Sequence, residues 1–157
     1  MKVRLIVVGD VRGILADAVR AYEERIGHYF RFEVDELEAG TRRGKDDPAR
    51  VKVAEAERIL ARIDPADEVV AVTRDGKTWS SRELADRLAR WGVEGRASVV
   101  FLIGGAWGFD ASVLARANRR LSLSAMTLPH EMARLFLSEQ IYRAGTIMRN
   151  EPYHKGP

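Results

Sequence analysis

The chain of 157 residues predicts an α/β fold, a mainly parallel sheet flanked by helices. Three observations carry that prediction. Short apolar runs of strand length alternate with longer segments whose apolar residues recur every three or four positions. Two of the runs, 67–73 and 97–105, are apolar through their centres instead of alternating, as strands covered on both faces are. Strand and helix patterns succeed one another along the whole chain, which is the order of a parallel α/β sheet.

Each element follows from its own residues. KVRLIVVG at 2–9 is a strand: it is apolar, but too short and too broken by Arg4 for a signal segment. Residues 14–29 place Ile14, Leu15, Ala18, Val19, Tyr22 and Ile26 at helical spacing. FEVDELE at 32–38 alternates and reads as a second strand near a sheet edge. Residues 39–50 form a loop rich in glycine and charge, and a helix follows to about Ile63. The buried strand 67–73 leads to Asp75-Gly76-Lys77, which is expected to turn the chain. Ser80 or Ser81 then caps a helix, with Glu83 in its first turn, that ends near Trp91 and Gly92. The buried strand 97–105 runs into a glycine pair and a helix from about Asp110. Residues 120–131 give a brief strand and then a loop. The last helix, 132–148, is apolar on more than one side and so must be covered on several, a second subunit being the natural cover.

Composition narrows the classes. Hydrophobic residues are 46% and charged residues 31%, the balance of one soluble globular domain. There is no cysteine, so disulfides and thiolate metal sites are excluded. No two histidines have metal-ligand spacing, and no metal is expected. No stretch approaches the roughly 18 apolar residues of a membrane span; the lack of cysteine fits a reducing cytoplasm, and a cytoplasmic protein is expected. The net charge of +3 and pI near 9.4 permit an RNA partner without requiring one. Lys2, Arg42, Arg43, Lys45, Arg74 and Lys77 are the cations that would serve it if they converge. GxSxG and GxxxxGK[ST] are both absent, which removes support for a serine hydrolase and a P-loop ATPase.

Three stretches can carry chemistry. FLIGGAWGF sets Gly104, Gly105 and Gly108 between a strand and a helix, where a backbone can approach a ligand closely. Its GGxxG spacing is not that of a dinucleotide fingerprint, and a plain strand-to-helix turn reads equally well. SAMTLPH, from Ser124 to His130, is a loop of small, apolar and hydroxyl residues that suits a flat apolar group read at its edges by backbone. On its own it reads as readily as a buried loop leading into a helix. The terminal RNEPYHKGP puts a stiff Pro152, an aromatic Tyr153 and a titratable His154 where chain ends are usually disposable. Glu139 and Arg143 stand four apart on the last helix, the spacing of an ion pair.

In that order, FLIGGAWGF, LSLSAMTLPHEMARLFLSEQIYRA and NEPYHK resemble the SPOUT-class methyltransferases that methylate N3 of a pseudouridine in 23S ribosomal RNA of the large subunit. The resemblance extends over the whole chain and is densest from Phe101 to Lys155. It implies one domain over 1–157, with the C-terminal part from about residue 98 tied in a trefoil knot that holds the methyl donor. It implies S-adenosyl-L-methionine as cofactor, a homodimer, and ribosomal RNA, in the large subunit or assembled ribosome, as partner. The donor site carried over is Val72, Gly104, Gly105, Ser124, Ala125, Met126, Thr127, Leu128 and Pro129. Catalytic positions carried over are His130, Arg143, Tyr153 and His154. Arg143 would stabilise charge on the acceptor imide, His130 or His154 would take its proton, and Tyr153 would offer a face to the base. Glu151 stands where some relatives have histidine, and Val72 where leucine is common. Two other readings stay open: a ribosome-associated RNA-binding protein of the same fold without activity, and a nucleotide-dependent oxidoreductase on the same sheet.

Overall fold

A computed structural model describes residues 1–41 and 47–156. Five strands form one all-parallel sheet in the order β2-β1-β4-β3-β5: β1 (Lys2–Val8), β2 (Arg31–Leu37), β3 (Glu68–Thr78), β4 (Ser98–Ile103) and β5 (Arg119–Ser122). The helices are α1 (Ala16–Ile26), α2 (Pro48–Leu60), α3 (Ser81–Val93), α4 (Ala111–Arg116) and α5 (His130–Met148). β4 lies between β1 and β3, and all six of its residues are buried, which is why its sequence shows no alternation. β2 is an edge strand, as its half-exposed pattern foretold.

The two faces of the sheet bury separate cores. Val3, Leu5, Val7, Val70, Phe101 and Ile103 face α1, α3 and α5, through Ile26, Leu84, Leu88, Leu137 and Ile141. Ile6, Val8, Val69, Val100 and Leu102 face α2 and α4, through Ala56, Ile59 and Val113. Each fully buried leucine or isoleucine is worth roughly 1.5–3 kcal/mol. Local chemistry sets the helix starts. Asp47 accepts from Ala49 N with Pro48 in the first turn of α2. Ser80 and Glu83 form a reciprocal capping box on α3. Asp110 caps α4.

Several boundaries differ from expectation. The first helix opens with a short 3-10 turn at Gly13–Leu15 and ends at Ile26. α2 stops at Leu60, and α5 begins at His130, two residues earlier than its apolar pattern. The larger correction is at Asp75-Gly76-Lys77, which does not reverse the chain. Leu121 of β5 pairs first with Val72 and again with Lys77, so residues 73–76 bulge out of a strand that resumes its course. Gly76 permits this. A Cβ there would lie 2.6 Å from the Arg120 carbonyl carbon, so only glycine lets the bulge rest on the backbone of β5.

α5 lies on the sheet between α1 and α3. Ala133, Leu137, Ile141 and Ala144 face inward and are buried. Arg134, whose side chain is 5% exposed, grips Glu23 of α1 at 2.7 Å and Glu36 of β2 at 2.6 Å, and Ser81 of α3 donates to Gln140 at 2.6 Å. Three sides of the helix are thus covered. The fourth leaves Met132 and Phe136, four apart, about 45% exposed. To reach α5 from β5 at one edge, the chain crosses the carboxyl ends of β3 and β4 and arrives at Gly9, just after β1.

Candidate active site

That crossing encloses a cavity of about 880 Å³ at the carboxyl ends of β3 and β4, the place where open α/β sheets bind ligands. Its walls come from three segments: the end of β3 with its bulge, the loop after β4, and the loop between β5 and α5. Val72, Gly104, Gly105, Ser124, Met126, Thr127, Leu128, Pro129 and His130 all line it. Ala125, on the same loop, does not lie on the wall. Thr73, Arg74 and Asp75 of the β3 bulge, Ile103, Trp107 and Phe109 of the FLIGGAWGF stretch, and Leu114, Leu123 and Ala133 also line it, none of them assigned to the donor site from the motifs. The first three arrive with the bulge, whose course no local pattern gave.

The walls are stitched together by hydrogen bonds. Ser122 Oγ lies 2.9 Å from Arg74 O and 3.0 Å from Ser124 O, tying the bulge to the loop. Arg74 donates to Thr127 Oγ1 at 3.2 Å, and Met126 N donates to Ser124 Oγ at 3.0 Å. Behind the glycine pair stands Glu55 of α2, 4% exposed, accepting from Gly40 N at 2.8 Å. A Cβ on Gly105 would fall 2.7 and 2.8 Å from the two Glu55 carboxylate oxygens, so the glycine keeps the loop against α2 and leaves the cavity open.

The cavity fits a nucleoside-type donor. Val72, Ile103, Leu114, Leu123 and Leu128 make apolar walls for a flat base, and the glycine loop lets backbone reach polar edges. Thr73 Oγ1 is enclosed in the wall with no hydrogen-bond partner among the described residues, a group that a ligand's polar atom would satisfy.

His130 is the first residue of α5. Its Nε2 lies 3.1 Å from Asp10 O. A carbonyl only accepts, so Nε2 carries a proton there and Nδ1 is the nitrogen left to act.

Arg143, Tyr153 and His154 do not reach this cavity in one chain. They form a second cluster near the other end of α5. Ten residues of helix separate Arg143 from Ala133 on the cavity wall, about 15 Å at 1.5 Å per residue. Glu139 Oε1 accepts from Arg143 Nε at 3.1 Å and from Nη2 at 2.5 Å, and Tyr153 donates to the same oxygen at 2.9 Å. Arg143 Nη1 lies 3.2 Å from His154 Nδ1. The expected ion pair is therefore present, but as the centre of a network. The bond to Glu139 holds Arg143 further on its protonated side. Burial, with hydrogen bonds to Tyr22 and Glu139, pushes the Tyr153 phenol well above its ordinary range. One face of the Tyr153 ring is covered within the chain. The Arg143 guanidinium lies 4.8 Å from the ring centroid, and Tyr142 meets the ring edge-on at 4.7 Å. The tail is held upstream too: Tyr29 donates to Glu151, and Asn150 takes a left-handed turn at φ 55°.

Of the expected cations among the described residues, Lys2 and Arg74 stand apart. Lys2 pairs with Glu33 at 2.6 Å, at the end of β1 remote from the cavity, whereas Arg74 stands at its rim. Arg42, Arg43 and Lys45 lie outside the described residues. Among the described residues no three His, Asp or Glu side chains are grouped to hold a metal, and no helix is long and apolar enough to cross a membrane.

Comparison with known proteins places this geometry. A family model described as "Predicted SPOUT methyltransferase" matches residues 1–154. A protein of Gemmatimonas aurantiaca named Ribosomal RNA large subunit methyltransferase H is 48% identical, with 99% of this chain and 100% of the relative covered. One of the same name from Anaeromyxobacter sp. (strain Fw109-5) is 43% identical at the same coverage. Among solved structures, a probable methylase family protein from Haemophilus influenzae Rd KW20 superposes with a TM-score of 0.55 at 13% identity. It covers 98% of this chain and 70% of that one, and shows likeness of fold alone.

Proposed function

The chain belongs to the SPOUT methyltransferase family, whose fold is an α/β sheet with a C-terminal trefoil knot and whose methyl donor is S-adenosylmethionine; from that premise we propose that it is a cytoplasmic homodimer that methylates N3 of a pseudouridine in 23S ribosomal RNA. Relatives named for large-subunit ribosomal RNA methylation align with it end to end, and this supports the substrate. The observation that carries the donor site is the meeting of the glycine loop, the β3 bulge and the loop of Ser124–Pro129 around one cavity.

S-adenosylmethionine, when bound, supplies a methyl group already activated by its positive sulfur. Val72, Ile103 and Leu128 would hold the base, Gly104 and Gly105 would let the main chain read its edges, and Thr73 Oγ1 would gain a partner. The acceptor imide must lose a proton. His130 Nδ1 would take it at the cavity, and Arg143, held by Glu139, would offset the charge left on the imide oxygens; the contacts of His130 with Asp10 O and of Arg143 with Glu139 support these roles.

His130 and Arg143, 13 residues and about 20 Å apart on one rigid helix, cannot serve the same atom. A two-fold pairing with the α5 helices antiparallel removes the difficulty, because the cavity end of one then faces the tail end of the other. Met132 and Phe136 supply an apolar surface for such a pairing, and the same helix side continues into Glu139 and Arg143.

The test is mass spectrometry of large-subunit ribosomal RNA treated with the protein and labelled donor, beside the Phe136→Asp variant. One label on pseudouridine N3 is expected. The variant should sediment as a monomer, bind donor normally and transfer no methyl. Unlabelled RNA would refute the activity. A monomeric wild-type protein with full activity would refute the shared site.

A further inference from the structure

We infer that His154 is a positioning residue for Arg143 and not the proton acceptor, an inference that rests on the proposed methyl transfer and refines it. The argument begins with donors and acceptors. A guanidinium has five N–H groups and no acceptor. Arg143 Nη1 lies 3.2 Å from His154 Nδ1, so that ring nitrogen accepts. Its lone pair is committed to the arginine, and the proton of the neutral ring sits on Nε2. Nε2 is enclosed and has no hydrogen-bond partner among the described residues. One nitrogen is occupied and the other is shut away already protonated, so the ring presents no base to a substrate.

Arg143, by contrast, is held from three directions. Glu139 Oε1 accepts from Nε and Nη2, His154 accepts from Nη1, and Tyr153 lies under the guanidinium plane at 4.8 Å. Three of its five N–H groups are used in this way, leaving one each on Nη1 and Nη2 uncommitted among the described residues. That is a cation with two aimed donors, suited to an oxygen of a deprotonated imide, and its direction is set before substrate arrives. His154 fixes the Nη1 end. The titratable and charged groups facing the imidazole are Arg143, Glu139 and Tyr153, with Tyr22 behind Tyr153. Lys155 follows it in the chain. Glu139, the one carboxylate of these, bonds to Arg143 and Tyr153.

Asparagine at this position keeps an acceptor, Oδ1, near the place of Nδ1 but has no proton chemistry. In the dimeric enzyme, His154→Ala should lower kcat about 10- to 100-fold, as loss of alignment does, with donor affinity by calorimetry unchanged. His154→Asn should recover most of that loss and keep the wild-type pH–rate profile. Nitrogen-15 NMR of histidine-labelled wild-type protein should find the proton of the neutral His154 ring on Nε2. The inference is overturned if His154→Asn is as poor as His154→Ala, if a limb of the pH profile vanishes in it, or if the proton is found on Nδ1. The NMR measurement needs no turnover, so a protein that methylates nothing would refute the proposed function while the tautomer still judged this assignment.

Discussion

Gly105→Ala puts the architecture of the cavity to a numerical test. The added Cβ would stand 2.7 and 2.8 Å from the Glu55 carboxylate oxygens, about 0.5 Å inside ordinary carbon–oxygen contact. Two responses are open. Glu55 can retreat, but it is buried and accepts from Gly40 N at 2.8 Å, and losing a hydrogen bond to a charged group costs about 1.5–3 kcal/mol. Alternatively the glycine loop shifts by about 0.5 Å into the cavity, an overpacking of about 1–3 kcal/mol. The first cost would appear in the melting temperature, the second in donor affinity, which would fall between about 5-fold and 100-fold. Calorimetry with S-adenosylmethionine and thermal melts separate them. Adding Glu55→Ala removes the obstructing carboxylate, so the pair should couple by about 1 kcal/mol or more in a double-mutant cycle. Wild-type affinity and stability in Gly105→Ala, or a penalty that Glu55→Ala leaves intact, would refute the reasoning.

Three further outcomes follow from the same geometry. Thr73→Val removes a hydroxyl that has no partner among the described residues, so melts should show stability kept or raised by up to about 1 kcal/mol, while calorimetry shows donor affinity reduced roughly 5-fold to 10-fold. Tyr29→Phe cuts the bond that anchors the tail at Glu151; single-turnover assays should show slower methyl transfer, and titration an unchanged donor affinity. Alkaline pH should weaken the fold through two phenols. The hydrogen bond to Glu151, then burial, pushes Tyr29 from its ordinary 10 to about 12, and Tyr153 moves the same way. The unfolded chain releases these protons first, so their stabilisation is complete below about pH 10 and is lost as pH rises toward 12; phenolate absorbance followed beside unfolding should rise in that window, and Tyr29→Phe should remove part of it.

What the sequence disclosed, and what it withheld, divides by the range of the interactions involved. β1, β4 and α3 were legible because each is set by its own residues: a continuous apolar run for β4, and the Ser80–Glu83 box for α3. The β3 bulge was not. Asp75-Gly76-Lys77 carries every local mark of a turn, and only the pairing of Leu121 with both Val72 and Lys77, some 45 residues away in the chain, carries the strand onward. The same limit applies within the site. The glycine pair and the loop of Ser124–Pro129 were visible as motifs, yet Thr73 and Glu55 were not, since each matters through a neighbour distant in sequence. Glu55 looked like one charge among several on α2 until Gly105 came to rest against it.

The tail shows why residue types alone could not assign roles. A histidine two residues after a conformationally fixed proline invites the role of base, because imidazole is the side chain that titrates near neutrality. Its neighbours decide otherwise. With Nδ1 facing a donor that can only donate and Nε2 enclosed, His154 is inferred to be a support, whereas His130 has Nε2 on a carbonyl that can only accept, which leaves Nδ1 for the proposed proton transfer. The two imidazoles are chemically identical and differ in which nitrogen the fold occupies. The proposed mechanism thus puts proton transfer at the cavity end of α5 and charge stabilisation at the tail end. Because α5 is gripped by Arg134 to α1 and β2 and by Gln140 to α3, neither end can swing toward the other. On the proposed reading, joining the two functions falls to a second copy, and a substitution that breaks the exposed Met132–Phe136 surface should disable transfer while leaving each chain folded.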